Sequence, residues 1–163
     1  MKRILKRILL ILLLILIAIQ FIRPAKNRSE EISANDISTK YPVPDSIQAI
    51  LKVACNDCHS NNTRYPWYAE IQPVAWWLNN HIVDGKRGLN FSEFTAYRIK
   101  KQFNRLNDID ELIKKNEMPL TSYNLLHTNA KLTDRQKLAI YNWTRTLRDT
   151  IKAHYPADSL LKK

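Results

Sequence analysis

The chain has 163 residues and a formal net charge of +11, with only two glycines, seven prolines and two cysteines. That length suits one compact domain with a targeting segment and is too short for two ordinary domains. The charge would suit a nucleic-acid or anionic-surface binder, but seven of the 26 Lys and Arg lie in residues 1–28, which hold no acid. The remainder carries 19 bases against 15 acids, a modest +4, so nucleic-acid binding is set aside. Strands and tight hairpins commonly draw on glycine at positive φ, so its scarcity points to an all-α domain.

Four bases (Lys2, Arg3, Lys6, Arg7) precede an apolar run over residues 8–22 that only Gln20 interrupts. Fifteen residues at ~1.5 Å rise fall short of a ~30 Å hydrocarbon core, though counting from Ile4 with the bases snorkelling outward nearly spans it. The length would also suit the apolar core of a cleaved signal peptide. No small-x-small pair follows at Ile19, Gln20, Phe21, Ile22 and Arg23, so a retained signal-anchor over residues 1–22 is the expected reading. Arg23, Lys26 and Arg28 flank the far end and weaken any positive-inside signal.

Residues 23–44 turn polar, without an apolar period, and read as a linker lifting the domain off the membrane. Asp45 or Ser46 then caps a helix whose face carries Ile47, Ile50, Leu51 and Ala54 and which runs into the cysteines. After a loop with Asn61, Asn62 and Pro66, Pro73 starts a second helix through Ala75, Trp76, Leu78, Ile82 and Val83, ending at Gly85. Asn90 and Glu93 have capping-box spacing for a third helix with Phe94, Tyr97, Ile99 and Phe103. A short helix over residues 108–116 follows, then a loop over residues 117–131. Thr133 and Gln136 cap the last and longest helix, with the stripe Ile140, Trp143, Leu147 and Ile151. Residues 45–155 read as one helical domain, and residues 156–163 as a tail.

The two cysteines stand in the order Cys55-Asn56-Asp57-Cys58-His59. Two thiols three positions apart can each form a thioether to one of the two vinyl groups along a haem edge. The next residue then projects an imidazole under the iron, so one turn supplies attachment and ligation. Three other readings compete. A thiol–disulfide redox site expects a βαβ context that the sequence lacks. A zinc site needs four ligands, and a second close Cys or His pair is missing. A disulfide across two residues is strained. One covalently held haem c is the expected cofactor. Covalent attachment of this kind takes place on the outer face of the bacterial cytoplasmic membrane, which would put the domain on the periplasmic side with the basic N-terminus inside.

Met118, in a loop before Pro119, is the expected second axial ligand, since a thioether sulfur is soft and favours ferrous iron. The alternatives are a gap-filling core methionine, or ligation by His81 or His127, with His154 near the polar end of the last helix. Trp67, Trp76, Trp77 and Trp143 supply apolar area to cover a flat ring, and Arg64, Lys86 and Arg87 are candidates for its propionates.

Cys55 to His59, Tyr65-Pro66-Trp67-Tyr68, Pro73, Trp76-Trp77, His81, Leu89-Asn90-Phe91-Ser92 and Met118-Pro119-Leu120 together resemble the small bacterial haem-binding-domain proteins. The resemblance covers about residues 40–150 of this sequence. It implies a cytochrome c-like fold around one haem held by Cys55, Cys58 and His59, tethered to a membrane and facing the periplasm. Two functions stay open. With His59 and Met118 both bound, the iron has no free position and passes electrons to an unidentified redox partner protein. With a labile sixth position, the chain would be a ligand sensor or a peroxidase-like haem protein.

Overall fold

A computed structural model describes residues 1–29 and 31–160; residues 161–163 of the expected tail lie outside it. Among the described residues every regular element is helical, in agreement with the all-α expectation. The first helix, α1 (Lys2–Ile19), has 18 residues and buries none of them. It is about 27 Å long at the usual rise, and its first turns carry Lys2, Arg3, Lys6 and Arg7. The uncharged part that remains is far shorter than a ~30 Å hydrocarbon core. No described helix is long and apolar enough to cross a membrane, so the expected transmembrane helix over residues 1–22 is not found.

Residues 23–44 do not behave as a spacer. Ile37 and Tyr41 are buried in the main core, and the Tyr41 hydroxyl donates to Gln102 Oε1 at 2.6 Å. Asn27 is bound from several sides: its amide donates to the Ser60 carbonyl at 2.9 Å and to Thr63 Oγ1 at 3.0 Å, and it accepts from Lys86 Nζ at 2.6 Å. The segment looks polar because its side chains satisfy the domain's own backbone, which composition alone cannot distinguish from solvation. At its start, Gln20 and Gln72 exchange hydrogen bonds (2.9 and 3.2 Å), Gln72 Nε2 donates to the Ile22 carbonyl, and Glu70 pairs with Arg23 and Lys26.

In α2 (Asp45–Ala54) the apolar stripe buries Ile47, Ile50 and Leu51 as its spacing requires. Cys55 breaks the helix, and the one-turn α3 (Asn56–His59) follows directly. Next comes α4 (Val74–Gly88), one turn longer than the Gly85 stop predicted; Gly85 is a packing residue, not a terminator.

The next two predicted helices divide differently. Asn90 caps a 3₁₀ stretch, Phe91–Ala96, and α5 (Ile99–Lys114) begins only after extended Tyr97. Buried Gln102 fixes that break by donating to the carbonyls of Tyr97 (2.6 Å) and Thr95 (3.3 Å), which the helix would otherwise have used. The expected loop over residues 117–131 contains the short α6 (Thr121–Leu126) and a 3₁₀ turn at Thr128–Ala130. The last helix, α7 (Asp134–His154), opens on the predicted Thr133–Gln136 capping box and buries Ile140, Trp143, Leu147 and Ile151.

α5 and α7 pack against each other. Between them Asp110, 5% exposed, accepts from Arg148 and from the fully buried Thr144 hydroxyl (2.6 Å). The core they share with α2 and residues 37–41 positions the cysteine turn at one edge, where α3 meets α4.

Candidate haem site

The Cys55–His59 sequence forms one tight turn because the Cys58 and His59 amides both return to the Cys55 carbonyl, at 3.2 and 3.0 Å. Both cysteines are half-buried free thiols. Burial pushes the Cys55 thiol up to about 12, with the neighbouring Cys58 adding to it. It pushes Cys58 up to about 11, with the Asp57 charge adding. Both sulfurs therefore stay protonated at neutral pH, the opposite of an activated redox cysteine or a thiolate metal ligand. Among the described residues, no group of three or more His, Cys, Asp or Glu gathers to hold a metal ion by itself.

His59 is held by one side of its ring. Nδ1 lies 3.0 Å from the Gly85 carbonyl and 2.9 Å from the Leu89 carbonyl, both at the end of α4. Two acceptors at Nδ1 fix the proton there and leave the Nε2 lone pair for a metal, the usual orienting arrangement for a ligating imidazole. Burial pulls the His59 pKa below its ordinary value and the two carbonyls oppose this, so the ring is neutral, as a ligand must be.

This close approach of α4 needs Gly85. A Cβ there would lie 2.6 Å from the Cys58 carbonyl oxygen and 3.0 Å from Cys58 Cβ. Only a residue without a side chain lets the helix end press on the turn and bring its carbonyls to His59. Paired thiols, a neutral imidazole with a free Nε2 and a glycine-lined backing together fit covalent haem attachment.

A family model described as a haem-binding domain matches residues 14–146. The chain belongs to this haem-binding domain family. The match runs from within α1 into α7 and so takes in the cysteine turn, the α4 backing and Met118. No curated protein and no solved structure matches the chain.

The structure brings Cys55, Cys58 and His59 of this haem-binding domain together in one turn, and Met118 lies on a different segment, between α5 and α6. Met118 is half-buried just after α5, its amide 3.4 Å from the Leu112 carbonyl. The rival histidines are differently engaged. His127 has both ring nitrogens in use, Nδ1 at 3.2 Å from the Tyr123 carbonyl and Nε2 at 3.3 Å from the Tyr68 hydroxyl. His81 rests against the Trp77 ring at 4.3 Å with Nδ1 on the Trp77 carbonyl, and exposed His154 caps its own helix at Thr150. Among the propionate candidates, Arg64 is bound to Asp57 and Lys86 to Asn27, while Arg87 pairs with Asp84.

Sequence reasoning missed Asp57 as a site residue. It occupies a variable position of the motif, yet it is only 7% exposed and gathers donors from Arg64 and Tyr123. Gly85 left a faint signal, being one of just two glycines in the chain. Tyr123 left none.

Proposed function

We propose that this haem-binding domain is a monohaem c-type cytochrome that transfers electrons, with Cys55 and Cys58 as the covalent attachment points and His59 and Met118 as axial ligands. The observation that carries the reading is the His59 ring, held at Nδ1 by two backbone carbonyls with Nε2 left for iron, one residue after a pair of protonated thiols. Each thiol would contribute its sulfur to a new carbon–sulfur bond and its hydrogen to the other vinyl carbon, so attachment is an addition with no leaving group. The bound haem supplies a one-electron Fe(III)/Fe(II) couple. The carbonyls of Gly85 and Leu89 hold the His59 ring at Nδ1 and would keep its orientation and raise its basicity as an iron ligand. Met118 is assigned to the ligand set because a soft sulfur donor would favour the ferrous state and because both nitrogens of His127, the rival on the same interhelical segment, are already hydrogen-bonded.

Membrane association through α1 is part of the same proposal. No residue of that helix is buried, and Ile8, Leu10, Leu12 and Leu14 stay about half exposed, apolar surface for which a lipid environment is the natural cover. The haem domain would then face the periplasm, where covalent attachment takes place, and meet its redox partner protein there.

The test is spectroscopic. The full chain, expressed with c-type maturation, is expected to keep its haem through denaturing electrophoresis and to give low-spin spectra with a sulfur–iron charge-transfer band. It should ignore carbon monoxide. Met118→Ala should abolish the band and lower the reduction potential. Rapid carbon monoxide binding by the unaltered protein would overturn electron transfer in favour of a ligand-binding haem, and haem lost on denaturation would overturn covalent attachment.

A further inference from the structure

The segment between α5 and α7 carries Met118 and then α6, and α6 buries none of its residues. Apolar packing therefore does little to hold this helix on the domain. A partly buried polar contact does more. The Tyr123 hydroxyl lies 2.7 Å from Asp57 Oδ2 and 3.2 Å from the Val53 carbonyl, and its single proton is drawn to the nearer, charged acceptor.

Asp57 is a fixed point. It lies between the two cysteines, and its Oδ1 accepts from the Arg64 backbone amide at 3.1 Å and from Arg64 Nε at 3.2 Å. Arg64 Nη2 reaches Oδ2 at 3.3 Å and the Lys52 carbonyl at 2.7 Å, so the guanidinium ties α2 to the same turn. Burial, and then the Asp57 carboxylate, hold the Tyr123 phenol above its ordinary pKa, so it remains a donor. A second attachment extends from the same ring. His127 stacks on Tyr123 at 4.1 Å and 17°, and its Nε2 meets the Tyr68 hydroxyl.

We propose that Tyr123 is a positioning residue that straps the Met118-bearing segment onto the haem-attachment turn through Asp57. The contact links the segment that carries Met118 to the turn that carries His59, so with haem bound a stronger strap would keep Met118 longer at the iron. That consequence rests on Met118 being the ligand; the strap itself does not. A hydrogen bond from a hydroxyl to a buried carboxylate is among the stronger neutral–ionic contacts, enough to change a local opening equilibrium by about tenfold.

The test compares the full-length, haem-loaded protein with Tyr123→Phe, which keeps the ring and its stack on His127 and deletes only the hydroxyl. Amide hydrogen exchange over residues 116–127 should accelerate about tenfold while α5 and α7 are unchanged. Added imidazole should displace the sulfur from ferric iron about tenfold faster. Unchanged exchange in residues 116–127 overturns the strap, and so does acceleration spread evenly over the whole domain, which would mark a merely structural tyrosine. If Tyr123→Phe fails to fold, Asp57→Asn keeps the shape and removes the charge; the same local acceleration supports the strap and its absence overturns it. If the unaltered protein lacks the sulfur–iron band, the ligand assignment of Met118 fails separately, and exchange still decides the strap.

Discussion

A methyl group on Gly85 would sit 2.6 Å from the carbonyl oxygen of Cys58. The same Gly85 presents its own carbonyl to His59 Nδ1 at 3.0 Å, so one residue governs both how near α4 comes and how the imidazole points. Gly85→Ala must push α4 away from the turn against backbone atoms that cannot give. The expected cost is about 1–3 kcal/mol, the range for overpacking a close contact, with a fall in the fraction of chains that carry haem. Gly88→Ala is the control. Its added Cβ meets nothing within 4 Å, and exchanging glycine for alanine in a helix gains up to about 1 kcal/mol. Thermal melts and haem-stained gels of the two variants should therefore move in opposite directions or, for Gly88→Ala, not fall at all.

The cysteine thiols give a pH prediction for the haem-free chain. Cys58 is raised from 9.0 to about 11, so the thiolate that reacts with iodoacetamide is scarce at pH 8 and grows as pH rises toward that value. In the unfolded chain the thiol ionises near its ordinary value, and there the rate should level off at a lower pH. Folded haem-free protein should thus alkylate about a hundredfold more slowly than denatured protein at pH 8, as a two-unit difference in pKa requires. The gap should close as pH approaches 11. Equal rates at pH 8 would show the two thiols to be exposed.

How much of this was legible in the sequence differs between chemistry and placement. Cys55, Cys58 and His59 are a contiguous motif, so their joint site needed no tertiary information. The α7 stripe and its Thr133–Gln136 box were equally local. What escaped was long-range and polar. Gln102 ends one helix and begins another by serving the Tyr97 carbonyl, and a glutamine in a polar-looking stretch gives no hint of it. Asn27 and Gln72 turn the supposed linker into part of the domain by hydrogen bonds across dozens of residues. The Tyr123–Asp57 contact spans 66 positions and has no periodicity to betray it. Hydrophobic pattern reports which face is inside; it is silent on which buried polar groups find each other.

The Asp110–Arg148 pair should be the costliest polar contact between α5 and α7 to break. Asp110 also accepts from Thr144, whose hydroxyl keeps the Tyr141 carbonyl at 3.1 Å as a second acceptor, so removing the carboxylate chiefly leaves the largely buried Arg148 guanidinium without a counter-charge, with Asn107 at 2.7 Å its remaining partner. Asp110→Ala should lose about 3–5 kcal/mol, the usual penalty for leaving one buried ion alone. Arg148→Met, which removes the cation and retains its stem, leaves the more deeply buried carboxylate with only the Thr144 donor and should cost a comparable amount. Urea melts with unchanged slope would measure both, and an Asp110→Ala loss under 1 kcal/mol would mean that water reaches the pair.

Gln72 offers a separate handle on how α1 is carried. It is 1% exposed, its amide N–H and carbonyl are matched by Gln20, its Nε2 serves the Ile22 carbonyl, and its Oε1 accepts from the Trp76 amide. The Trp76 indole donates to the same Ile22 carbonyl at 2.9 Å. Gln72→Ala removes the side-chain bonds and leaves the two backbone exchanges with Gln20 in place. The change should cost about 1–3 kcal/mol, as for a buried group left without its partner, and speed proteolytic cutting around residues 20–28. His59 and Cys58 have no contact with Gln72 among their hydrogen bonds, so the haem spectrum and the carbon monoxide response should stay as they were. Faster cutting with an unaltered spectrum would show that α1 is held in place by this glutamine independently of the haem site, and an altered spectrum would mean that the two are coupled through α4.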